Sequence, residues 1–349
     1  MRKMNDLQLR NAANLADLYN GWINDRRTTH AGRLRWKTSS GGEYLYRMRP
    51  GSDSGSSLGP RNAENEKRFQ EGQETEHRVK KTTARIKMQA AICRATRNPS
   101  LPKFAGDVLR ELDISGAMGD GLLVIGTNAI LAYQLESGMV PPPETMGTED
   151  FDLAGFSAPL PHGEPATIGL MKIIRRADAT WTVSEESGFR LRNRDGDILD
   201  IVATSNYLKG LGSQDWLKEC PLPAHIHLIG GTTVSHVVGD SSLMAARIEA
   251  PDPRRFALHK IILSEMEGRN PLKRMKDRDQ AEFVLDMLRE GMPHYPFDAQ
   301  FRESIPGDLR ATMDRIDFNG PNWTIREKET TLEVGQTATK NAARDPRRR

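Results

Sequence analysis

Three acidic side chains in this sequence have the type and setting to hold divalent cations. Asp150 and Asp152 lie in Thr148-Glu149-Asp150-Phe151-Asp152-Leu153. Residues two apart on a strand project to the same side, so the two carboxylates stand together while Phe151 and Leu153 pack behind them. Adjacent carboxylates repel unless a cation neutralises them. Hard oxygen ligands suit magnesium or manganese. Asp200 sits in Gly196-Asp197-Ile198-Leu199-Asp200-Ile201-Val202, an apolar strand where an unpaired carboxylate is costly. A metal shared with Asp150 and Asp152 supplies its partner; an ordinary salt bridge is the alternative. Three carboxylates around two ions about 4 Å apart suit in-line phosphoryl transfer. Asp200 would then lie beside the attacking hydroxyl and could accept its proton. Taken alone, the Asp-x-Asp pair also reads as the solvated face of an amphipathic strand.

A phosphate-binding element precedes these acids. Val124-Ile125-Gly126-Thr127-Asn128-Ala129 reads as a strand passing through one glycine into a helix. The glycine lets backbone approach a phosphate, and the helix start offers N–H groups to an anion. The segment lacks the later glycines of a dinucleotide fingerprint and the Gly-Lys-Ser/Thr of a P-loop.

The elements that position these residues follow from pattern. Leu122–Ile125 is a continuous apolar run, as in a buried strand, and Thr127–Leu135 reads as the helix after it. Residues 148–154 form the acidic strand, and a helix is expected over 167–176. Strands follow at 181–184, 189–193 and 198–203, with turns at Ser187-Gly188 and Asp195-Gly196. Further short strands are expected at 226–228, 234–238 and 244–248. Asp252 can cap a helix with Pro253 in its first position, and Phe256, Lys260 and Leu263 share a face of it. A second helix carries Ala281, Val284, Leu285 and Leu288. Upstream, a helix from Asp6 to Trp22 leads through a polar stretch to Gly51-Ser52-Asp53-Ser54-Gly55-Ser56-Ser57, a flexible loop by composition. A long exposed helix then runs to about Arg94, with Gly72 as a point of interruption.

The combination of Gly126-Thr127-Asn128-Ala129, Thr148-Glu149-Asp150-Phe151-Asp152-Leu153 and Asp200-Ile201-Val202 resembles the nucleotidyltransferase superfamily of DNA polymerase beta type. Its nearest branch is a bacterial group of nucleotidyltransferase-fold proteins related to AbiEii-type toxins. The likeness spans roughly residues 121–288. It implies that Asp150, Asp152 and Asp200 are the catalytic metal ligands, that Gly126, Thr127 and Asn128 contact the nucleotide, and that Mg2+ (or Mn2+) is the cofactor. A nucleoside triphosphate would be the substrate and an RNA end, a protein or a small molecule the acceptor. The residue after Gly126 is a threonine, where the superfamily usually has a glycine or serine. Lys260 and the pair Lys276-Asp277 loosely match a helical lysine and a following basic-acidic segment in that branch. Lys260 could reach the triphosphate as a point charge, or lie along the surface.

The expected fold class is therefore α/β (α+β), with a mixed-sheet core. The organisation is a basic, largely helical region at 1–103, a nucleotidyltransferase core at 104–250, a helical domain at 251–326 and a disordered basic tail at 327–349. The active site would lie between core and helical domain.

Composition narrows the field. Residues 1–100 carry 20 Lys/Arg against 10 Asp/Glu, and the remainder 30 against 37. A basic front of this kind suits an anionic partner such as nucleic acid, or is a solvated helix surface. The apolar runs, Leu122–Ile125 among them, are too short to cross a bilayer. The N-terminus leads into no apolar core of a signal peptide, so a cytoplasmic location is expected, with no membrane partner. Cys93 and Cys220 read as two thiols rather than a bridge. His225 and His227 alternate, but no further Cys or His lies near, and they read as strand-surface residues. Trp181 and Trp216 read as core or interface. Two rivals to catalysis remain: a nucleotide sensor with the same fold, in a defence or toxin–antitoxin setting, and a nucleic-acid-binding protein that acts through residues 1–100. Oligomeric state is not legible.

Overall fold

Leu122–Ile125 is fully buried and pairs antiparallel with Asp150–Gly155, which in turn pairs parallel with Ile198–Ala203. In this computed structural model these strands begin a five-stranded mixed sheet, completed by Arg190–Arg192 and Thr182–Val183. The described residues are all except 1, 31, 40, 49–52, 119–120, 143–145, 149, 157–168, 186, 206–207, 209–216, 218–226 and 329–349. The architecture is mixed α/β, as the alternation of apolar runs and amphipathic helices implies. Phe151 turns away from the acids and meets Phe104 edge-on, with centroids 6.4 Å apart. Phe104 belongs to the helix Lys103–Ile114, which backs the sheet with the helix Leu170–Ala177. Trp181 is buried in this core.

A smaller sheet sets Ser100–Leu101 and Ala245–Ala250 on either side of Val234–Asp240. The helix Gly126–Ser137 packs between this sheet and the long helix Pro271–Gly291. Pro253–Ser264 packs along the same long helix. Its start is as expected: Pro253 opens it, and the buried Asp252 side chain accepts from Arg254 N at 2.9 Å. One continuous apolar cluster joins these helices to the main sheet.

The N-terminal region is largely helical, as expected, but its connecting segment is not. The helices Asp6–His30 and Ala63–Ala95 pair over a second apolar cluster, with Leu15, Tyr19, Ile86 and Ala90 against Val237. Gly72 does not interrupt the second helix. A Cβ there would lie 3.0 Å from Leu34 Cδ1, so the glycine makes room for a packed neighbour. The chain between the helices is not a loop. Leu34–Ser39, Gly42–Met48 and Gly55–Pro60 form an antiparallel meander, so 55–57 of the expected flexible segment are a strand. Its glycine and serines disguised that strand, because glycine is a poor strand former and serine is a common turn residue. Gly51 and Ser52 lie outside the described residues, as do Cys220, His225, Trp216 and residues 329–349 of the expected tail. Cys93 is a buried thiol. His227 and Leu228 lie in a tight turn rather than a strand, and His227 Nε2 contacts Asp308 Oδ2. No helix among the described residues is long and apolar enough to cross a membrane.

Candidate active site

The register of two parallel strands brings the three acids together. Asp200 is the direct neighbour of Asp152, so both side chains leave the same face of the sheet. Asp150, two residues before Asp152, lies on that face too. One carboxylate oxygen from each lies within 4.8 Å of the others. Among the described residues, this is the one such cluster of potential ligands. Its donors are all hard oxygens, which fits a magnesium- or manganese-type cation.

Electrostatics point the same way. Burial, with Asp150 and Asp200 beside it, pushes the Asp152 carboxyl up to about 7, against the partial pull of Lys260 and Lys273. The site thus holds negative charge in excess of its neutralisation. The sign of the pH effect follows. Without metal, folded protein keeps a proton on Asp152 that the unfolded chain releases near its ordinary 3.8. The stabilisation from this proton is full below about pH 4 and is lost as pH rises through about 7. In chelator, thermal unfolding should therefore show Asp152→Asn matching the parent below about pH 4 and melting higher at pH 8. Parallel curves for the two proteins would contradict this.

Thr148 and Asn128 fix the acidic strand. The Thr148 hydroxyl donates to Asp150 Oδ1 at 2.6 Å, and Asn128 Nδ2 reaches the Asp150 carbonyl at 3.4 Å. Asn128 is buried and does not line the cleft, so its contact is with the strand. Gly126 does line it, at φ +66°. A β-carbon there would collide with Asp152 Oδ2. Thr127 also lines the cleft, its hydroxyl accepting from Gln280 Nε2 at 3.0 Å. The helix starting at Gly126 has no side-chain cap, which leaves its first N–H groups available to an anion.

The opposite wall is basic. Lys260, Arg269, Lys273 and Lys276 all line the cleft, with Arg190 beside the acids. Lys260 is not a surface lysine. It is buried, and its Nζ lies 2.8 Å from Asp277 Oδ1, whose other oxygen takes Arg269 Nε at 2.6 Å. Removing Lys260 leaves the buried Asp277 with Arg269 as its remaining cation, so the cost is that of one lost charge-assisted hydrogen bond, about 1.5–3 kcal/mol. Lys260→Met should lower unfolding stability by about 2 kcal/mol in denaturant titration, and a loss under about 0.5 kcal/mol would show the contact to be dispensable. Lys276 reaches the Gly147 carbonyl at 2.6 Å, and burial, then Lys260, lowers its pKa.

Arg190 is the main residue that residue-by-residue reading of the sequence overlooked. Its fork donates from Nε to Asp200 Oδ1 at 2.8 Å and from Nη2 to Oδ2 at 2.7 Å. The signal was present: a hairpin centred on Asp195 pairs residue 190 with residue 200. Asp200 thus has the salt bridge and also belongs to the cluster. Each carboxylate oxygen has two lone pairs, so the fork leaves acceptor capacity. Such supporting contacts are typically worth 10- to 100-fold in metal affinity or activity. Arg190→Met should reduce manganese affinity by roughly tenfold or more in calorimetric titration, and unchanged affinity would refute a positioning role.

Three acids that could together hold a metal ion thus face a basic wall across an uncapped helix start. Residues 103–306 match the model of a family described as Nucleotidyltransferase, more than half of the chain, and the protein belongs to that nucleotidyltransferase family. In general terms its activity is nucleotidyl transfer and its substrate a nucleoside triphosphate. No curated protein and no solved structure gives a significant match.

Proposed function

We propose that this protein transfers a nucleoside monophosphate from a nucleoside triphosphate to an acceptor, with Asp150, Asp152 and Asp200 as the catalytic metal ligands. The observation that carries this is the convergence of three carboxylates on one face, opposite a wall of cations. Bound magnesium or manganese would neutralise the carboxylates and lower the pKa of the acceptor hydroxyl. The basic wall holds the triphosphate: Lys273 and Lys276 face the cleft as point charges, and Gly126 and Thr127 offer backbone N–H groups. Lys260 acts through Asp277, keeping that wall in place. The acceptor hydroxyl passes its proton to Asp200 as its oxygen bonds to the α-phosphorus, and the α–β bridging oxygen departs with pyrophosphate. Arg190 keeps Asp200 aimed at the cluster throughout. The core at 104–250 carries the acids and the helical unit at 251–326 the cations. The place within the polymerase beta superfamily, and the AbiEii-type affinity suggested by Lys260 and Lys276-Asp277, belong to this proposal.

Incubation with α-labelled and γ-labelled nucleoside triphosphates in cell extract tests it. Label from the α position should enter an acceptor, and label from the γ position should not. Absence of α-label transfer with both magnesium and manganese would sink the proposal. One observation favours a second reading, nucleotide binding without turnover: the Arg190 fork occupies both oxygens of Asp200. Nucleotide-induced stabilisation with no transfer in any extract would select it.

A further inference from the structure

The meander at residues 34–60 has a face that its position does not explain. Leu34 and Trp36 turn toward the helix Ala63–Ala95: Leu34 packs over Gly72, and Trp36 lies 5.8 Å from Phe69. Strand alternation then turns Arg35 and Lys37 outward, with their cross-strand partners Tyr46 and Tyr44. The outward face of a small antiparallel sheet is ordinarily polar. Here it carries two tyrosines interleaved with two cations. Lys37 Nζ stands 5.4 Å from the Tyr46 ring centroid, and the Tyr44 ring lies over Gly42, flat along its own strand. Ser57, across from Tyr46, is small and exposed, so it leaves that ring open on one side. The acid near this face is Asp53: its carboxylate is 3.9 Å from Arg35 and fully exposed, and its carbonyl accepts from Lys37 at 2.6 Å. An exposed pair of that kind is worth little and yields to a phosphate.

Cross-strand aromatic–cation pairs can serve a sheet alone. Two features point outward instead. Arg35 is exposed and held only by a weak surface pair, so it can turn to another anion, and the first 100 residues carry twice as many basic as acidic residues. Flat rings beside cations suit stacked bases with their phosphates, a combination that binds single strands with little regard to sequence. A duplex, whose bases are already stacked, offers these rings nothing. We infer that the outward face of the meander, through Arg35, Lys37, Tyr44 and Tyr46, binds single-stranded nucleic acid. Together with the proposed transfer, on which this further step rests, that makes a single strand the acceptor class.

The test is fluorescence anisotropy on the full chain, without nucleotide, using a labelled mixed-sequence single-stranded RNA, the matching DNA and a duplex. The single strands should bind more tightly than the duplex. Tyr44→Thr/Tyr46→Thr should weaken single-strand binding at least tenfold, threonine being a residue the strand tolerates. Arg35→Gln/Lys37→Gln should weaken it and flatten the slope of log affinity against log salt by about 1.4. Melting curves check that both variants fold. Equal binding by parent and variants, tighter duplex binding, or no binding overturns the inference; RNA against DNA decides which strand is natural. Loss of this binding alongside α-label transfer would remove the surface and leave the transferase. Binding by the meander without any transfer would do the reverse.

Discussion

Asp150→Asn/Asp152→Asn should abolish α-label transfer, by at least about 10³-fold, while the protein stays folded and melts no lower than the parent above pH 7. The two expectations have one cause. In the folded chain the Asp152 carboxyl is pushed up to about 7 by burial and by Asp150 and Asp200. Replacing two of three charges with amides keeps shape and removes the repulsion, so the fold gains. The same change removes the hard anionic ligands, and electrostatic stabilisation of this kind is the largest single contribution to most such reactions. A factor of 10³ corresponds to about 4 kcal/mol of transition-state stabilisation. Transfer assays and melting curves on the same preparations check the pair. Residual transfer within tenfold of the parent would mean that the acids are structural.

Gly126→Ala should cost roughly 100-fold in transfer and about 1–2 kcal/mol in stability. Gly126 lies at φ +66°, where an L side chain is strained by that amount. The new methyl group would also collide with Asp152 Oδ2, so the carboxylate must move. A misplacement near 1 Å in a reacting constellation is worth about 10² in rate. The other end of the same helix supplies the control. Gly138 has the same φ of +66°, but a β-carbon there meets only Leu9 Cδ2 at 3.9 Å. Gly138→Ala should share the loss of stability and keep full transfer. Equal activity losses in the two variants would show that backbone strain, not the displaced carboxylate, is responsible.

Period and alternation made much of the fold legible. Leu122–Ile125, the acidic strand and Ile198–Ala203 could be read from apolar runs, and the cap at Asp252 from a short polar residue before proline. That Asp150 and Asp152 share a face follows from local geometry. That Asp200 joins them depends on parallel register, which is set by non-local packing and leaves no local mark. The same limit hid the role of Lys260. Its partner Asp277 lies 17 residues on in another helix, and helical period alone cannot separate a buried ion pair from a lysine lying along the surface. Arg190 was different, because the turn at Asp195-Gly196 defines its pairing with Asp200. The meander was masked by Gly55, Ser56 and Ser57, whose strand conformation comes from pairing with Arg47 and its neighbours rather than from propensity.

The most direct test is a crystal soaked with manganese and a non-hydrolysable nucleoside triphosphate, with anomalous scattering used to locate the ion. An anomalous peak within about 2.2 Å of carboxylate oxygens from Asp150 and Asp152, with Asp200 at the same centre and phosphates reaching Lys273 or Lys276, is the predicted result. Phosphates bound in the cleft with no anomalous peak among these three residues would contradict it.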